Sequence, residues 1–131
     1  SGPLLDRIGI HIRVPRVEYK ELTASQPSEP SAVIRRRVTN ARDIQLQRLR
    51  KFHVICNAQM SHAVLKKTCP LSDNAQKLLE QAFDKMNMSA RSYDRIIKVA
   101  RTIADLAQED EITEQHVAEA IQLRNDIGLD L

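Results

Sequence analysis

The sequence predicts a mainly α domain that follows a single unpartnered strand and a linker, and three observations carry that prediction. Apolar residues recur at spacings of three and four over most of residues 31–131, the period of amphipathic helices. Aromatic residues are scarce, with Phe52, Phe83, Tyr19, Tyr93 and no Trp. The core must therefore be built from Leu, Ile, Val, Ala and Met, which suits small packed helices. Strict alternation occurs once, where Ile8, Ile10, Ile12 and Val14 interleave with Gly9, His11 and Arg13, and no later stretch reads as a partner strand. A chain of 131 residues, 42% of them hydrophobic, has room for one domain with a modest core.

A lone strand can neither bury its apolar face nor satisfy its edges. Residues 1–15 are therefore read as the end of a sheet whose other strands lie elsewhere. Residues 16–30 are polar and turn-rich, with Pro27 and Pro30 near their end, and read as a linker. Residues 31–131 form the helical domain. Its first helix runs from Ser31 to about Phe52, with Ile34, Val38, Ala41 and Phe52 on one face, Leu49 at the margin and Gln45 interrupting. A short helix follows at about residues 61–68 and stops before Pro70. Ser72 is suited to cap the next helix, with Asp73 in its first turn, and Ala75, Leu78, Leu79, Ala82, Phe83 and Met86 form its apolar face.

Ser89 is expected to cap the fourth helix, with Met88 stapled onto Tyr93. Its stripe of Tyr93, Ile96, Ile97, Ala100, Ile103, Ala104 and Ala107 is the cleanest amphipathic pattern in the chain. Thr113 caps a last helix, about residues 114–124, with Ile112 stapled to Val117.

Several function classes are excluded. With glycine only at positions 2, 9 and 128, the chain has neither a G-x-x-x-x-G-K loop nor a G-x-G-x-x-G turn to cradle phosphates. No apolar run reaches membrane-spanning length, and no signal-peptide stretch leads the sequence. Two cysteines do not suggest a disulfide framework, so a cytoplasmic protein with reduced thiols is expected. His53, Cys56, His62 and Cys69 match no common zinc spacing, and no metal site is expected. No nucleophile, base and orienting group come together in a recognisable set.

Two constellations remain. Seven basic residues (Arg35, Arg36, Arg37, Arg42, Arg48, Arg50 and Lys51) fall in the first helix against one acid, Asp43, while the remainder of the chain is net acidic. Arg35, Arg36 and Arg42 are the candidate nucleic-acid contacts, and a solvated helix face is the alternative. On the fourth helix Arg91, Arg95, Lys98 and Thr102 lie opposite the apolar stripe. Arg91 occupies the first turn, where a cation opposes the helix dipole. Asp94 could relieve it there. Equally, an outward Arg beside free first-turn amides is a phosphate binder.

The stretches "SGPLLDRIGIHIRVPRVEYKEL" and "LSDNAQKLLEQAFDKMNMSARSYDRIIKVARTIADL" resemble the end of the AAA+ core and the C-terminal lid of the magnesium-chelatase-subunit-I-like ATPases. The similarity is to the competence-related bacterial branch, which carries a Lon-protease-like N-terminal domain. The resemblance spans nearly the whole chain, although residues 20–70 match only in helical character. It implies an AAA+ helical lid bundle preceded by a core strand, with the basic first helix as the clade's inserted helix. It also implies roles for single residues. Arg7 in LLDRI matches the arginine finger, which acts in trans on a neighbour's nucleotide. Arg91 in SAR matches the sensor-2 arginine, and Ser89 in the same motif is a candidate nucleotide contact.

The implied cofactors are ATP and Mg²⁺ in a longer protein, with none bound by this chain alone. The implied partners are the upstream core, neighbouring protomers in a homo-oligomeric ring, expected to be a hexamer, and DNA in the manner of a branch-migration helicase. The alternatives are the lid of a protein-remodelling or metal-chelatase-type ATPase, and a non-motor helical DNA-binding module. Gly9 departs from the family pattern, which has Asp there.

Overall fold

The computed structural model describes residues 7–23 and 28–128. Expectations that fall on residues 1–6, 24–27 and 129–131, including the Leu4-Leu5-Asp6 part of the first motif, lie outside the described residues. The elements are α1 (Tyr19–Leu22), α2 (Ser31–Leu49), 3₁₀ turns at Arg50–Phe52 and Asn57–Gln59, α3 (His62–Thr68), α4 (Asp73–Lys85), α5 (Ala90–Leu106) and α6 (Glu114–Gly128). α5 is the centre of the bundle, with α6 and α2 packed against it and α4 resting on α6. The architecture is thus the helical lid bundle that the sequence predicts.

The helix ends follow local chemistry. Ser61, Ser72 and Ser89 each accept a hydrogen bond from the backbone N–H three residues on, at 3.3, 3.1 and 3.1 Å. Thr113 donates its N–H to Nδ1 of His116 at 3.0 Å, so a histidine plays the reciprocal part usually taken by Glu or Gln. Ile112 and Val117 are fully buried beside this turn, as a staple requires. α4 and α5 end with Asn87 and Gln108 in the left-handed region, at φ 50° and 59°. Behind each, an N–H returns to the last turn, Met88 to the Phe83 carbonyl and Glu109 to that of Ala104, which satisfies carbonyls that the helix leaves open. An isolated parallel bridge between Leu71 and Ile112 pins the turn before α4 to the turn before α6.

The core is aliphatic. Leu49, Leu79, Ile96, Ala100, Ile112, Val117 and Ala120 have 1% or less of their surface exposed. Phe83 and Met86, expected in the core, lie at its rim, where Phe83 meets the Tyr93 ring edge-on with centroids 5.8 Å apart.

Two expectations need correction. The inward residues of α2 are Ala41, Gln45 and Leu49, so Gln45 lies within the buried face it was expected to interrupt. Ile34 and Val38 are exposed, because residues 31–40 project beyond the bundle. Residues 8–14 form no strand, and Ile8, Ile10, Ile12 and Val14 face solvent, since no partner strand lies among the described residues. The residue this segment buries is His11, from the polar set of the alternation.

Candidate functional site

The N-terminus of α5 is built by Ser89. Its hydroxyl accepts from the Ser92 N–H and donates to the Ser92 hydroxyl at 3.2 Å, which caps the helix. Arg91, in the first turn, is exposed and makes no hydrogen bond or ion pair with the described residues. Asp94 does not neutralise it. That carboxylate turns to His62, with its oxygens 2.8 and 3.1 Å from Nδ1. The cation therefore stands against the positive end of the α5 dipole with no salt bridge to a described residue.

Arg91, Arg95 and Lys98 line a cleft of about 610 Å³. Val99, Ile103 and Leu106 are also on its α5 side, with Glu119 and Leu123 from α6 and with Gly9 and Ile10 from the N-terminal segment. A clasp at the end of α6 holds that segment in place. The His11 N–H donates to the Leu123 carbonyl, and its ring nitrogens lie 2.9 Å from the Arg124 carbonyl and 3.0 Å from that of Ile8. Arg124 donates to the Ile8 carbonyl at 2.9 Å and to the Ser92 hydroxyl at 3.3 Å. The segment that carries the exposed Arg7 is thereby joined to the end of α5 that carries Arg91. Gly9 has the room and backbone for a side chain, since a Cβ built there meets nothing within 4 Å and its φ is not positive. Its departure from Asp is not forced by packing.

Arg35, Arg36 and Arg42 are exposed on α2 and do not enter this cleft. Arg42 borders a separate hollow of about 220 Å³ with Val38, Gln45 and Thr102. Arg37 pairs with Glu29 at 2.8 Å. Arg48 turns inward, so the basic helix is less uniformly solvent-facing than its composition suggests. Its guanidinium grips both oxygens of Asp105 at 2.8 Å and donates to Asn57 at 2.9 Å. Asp105 also accepts from Arg101 Nε at 3.1 Å and from Asn57 at 2.9 Å. Arg101 in turn donates to the carbonyls of Glu109 and Asp110, each at 2.6 Å, which fixes the turn after α5.

Burial pushes the Arg101 pKa down and the charge of Asp105 opposes this. Arg101 and Asp105, four residues apart beside an apolar stripe, carry a detectable signal as an i, i+4 pair. Their partner Arg48 is 57 residues from Asp105 and carries none. Among the described residues no three His, Cys, Asp or Glu side chains converge as metal ligands, and no helix is long and apolar enough to cross a membrane.

Residues 28–124 match the family model described as magnesium chelatase, subunit ChlI C-terminal. Over 125 residues the chain is 39% identical to the competence protein ComM of Haemophilus influenzae and 36% identical to the uncharacterized protein YifB of Escherichia coli. Over 124 residues it is 33% identical to the uncharacterized protein Rv2897c of Mycobacterium tuberculosis. Each alignment takes in 95% of this chain and 24% of the relative, so the chain spans about a quarter of the length of the curated relatives it matches.

Proposed function

The chain belongs to the magnesium chelatase subunit ChlI C-terminal family, and from that premise we propose that it is the ATP-sensing lid of a ring-forming AAA+ motor that works on DNA in the cytoplasm. The observation that carries this reading is Arg91: exposed, in no salt bridge with the described residues, at the capped start of the central helix and on the wall of a cleft it shares with Arg95 and Lys98. A guanidinium so placed reaches phosphoryl oxygens bidentately. It stabilises the charge that develops on them during transfer and loses its partner when the terminal phosphate leaves. Ser89 serves the site by holding the α5 N-terminus, with its amides, towards the same anion. ATP and Mg²⁺ are held chiefly by core residues outside this chain. Arg7 completes the nucleotide site of the neighbouring protomer, and the ring is a hexamer.

DNA is the favoured substrate because residues 31–40 of α2 stand clear of the bundle and present Arg35 and Arg36 to solvent. Mixed rings test the arrangement. Protomers of the longer protein carrying Arg7→Ala, inactive alone, are mixed with protomers disabled in the phosphate-binding loop. ATP hydrolysis is expected to return in part, because one type of interface then recovers a complete site. No recovery in rings shown to be mixed would place Arg7 outside the neighbour's site. The same mixture with Arg91→Ala assigns that residue to its own or the adjacent nucleotide.

A further inference from the structure

We propose that Arg95 is a second phosphate anchor in the cleft, so that Arg91 and Arg95 together hold adjacent phosphoryl groups of one polyphosphate chain. The proposal rests on the reading of Arg91 as the phosphate-sensing residue and extends it. Arg95 lies four residues after Arg91, about 6 Å along the same face of α5, and Lys98 follows three residues later. All three line the cleft.

Arg95 is partly buried, its Nε is closed off from solvent without an acceptor, and none of its nitrogens bonds to the described residues. A buried charged donor without a partner is costly and rare in folded proteins. Arg48 Nε is also buried and unpaired, but its terminal nitrogens are satisfied by Asp105 and Asn57. The terminal nitrogens of Arg95 make no such bonds and stay open to solvent and to a ligand. The carboxylates that border the cleft do not engage them either, since Asp94 is paired with His62 and Glu119 forms no ion pair with Arg95. Lys98 spends one of its three donors on the Ala58 carbonyl at 3.3 Å and keeps two.

Cations at i, i+4 and i+7 along an open cleft suit an elongated anion with charge on successive groups, the chemistry of a nucleoside di- or triphosphate. A single phosphate reaches one of them well and the others poorly.

The test is a titration of the 131-residue chain at low salt with millimolar inorganic tripolyphosphate, a regime that detects contacts too weak for the chain alone to hold ATP, followed by the Nε–H NMR signals of its arginines. Arg91 and Arg95 signals are expected to move together. Arg95→Gln is expected to weaken tripolyphosphate binding about five- to tenfold and orthophosphate binding by less than about twofold, with Arg95→Lys intermediate because it keeps charge but loses the fork. Unchanged helicity of each variant by circular dichroism accompanies these values. If Arg91→Gln weakens binding and Arg95→Gln does not, the second anchor is wrong and the Arg91 reading stands. If neither variant weakens it, both fall. Tighter, Arg95-dependent binding of a short DNA duplex would also overturn the proposal and assign Arg95 to nucleic acid.

Discussion

Cys69 lies beside Thr68 with 7% of its surface exposed, whereas Cys56 is only partly covered. Burial pushes the Cys69 thiol above its usual pKa, against smaller lowering influences from Thr68 and two arginines. The thiolate is the reacting species, so a disulfide reagent at pH 8 is expected to modify Cys56 quickly and Cys69 only as the bundle opens. Two equally fast phases would contradict this. The fold also keeps the Cys69 proton that an unfolded chain gives up. That contribution to stability is complete below about pH 8.5 and is lost as the pH rises beyond it. Tyr93, raised by burial and then by Asp94, adds a loss in the same direction at higher pH. Single residues are legible in the sequence where their physics is local, as with the caps Ser72 and Ser89. His11, Arg48 and Arg124 are not, because each acts on partners far away in the chain.

At the level of elements, α4 and α5 follow from their apolar stripes, whose burial is what the period encodes. The inward face of α2 escapes that logic, since between Ala41 and Leu49 it buries Gln45, which accepts from the Asn57 N–H, and beside them Arg48 pairs with Asp105 of α5. Asp105→Ala would leave the buried Arg101 and the partly buried Arg48 without their anion. It is expected to cost about 3–5 kcal/mol in urea unfolding, as for other broken buried pairs. A loss below 1 kcal/mol would show that the network contributes little to holding α2 on the bundle. The exposed half of α2 makes a different prediction. Replacing Arg35, Arg36 and Arg42 with Gln should leave helicity nearly unchanged. It should also flatten the log–log salt dependence of DNA binding by about 0.9 per lost phosphate contact. An unchanged slope would make these arginines an ordinary solvated face.

For the whole molecule, the motif SAR-x-Y-D-R-I is what makes the lid legible, and it lies within the family match over residues 28–124. Less legible is how the parts meet. That the Arg7 segment lies against α6, and that Arg124 links it to the α5 N-terminus, depends on the three-dimensional closure of residues more than 100 positions apart. These contacts put the Arg7 segment and the Arg91 cleft at one end of the bundle. Steady-state ATP hydrolysis by the longer protein carrying Arg91→Ala tests the proposed phosphate-sensing role most directly. With assembly intact, the rate is expected to fall by about 10²–10³-fold, the usual cost of removing one donor to developing charge. Hydrolysis at the unmodified rate in assembled rings would show that Arg91 is not a sensor of the phosphate.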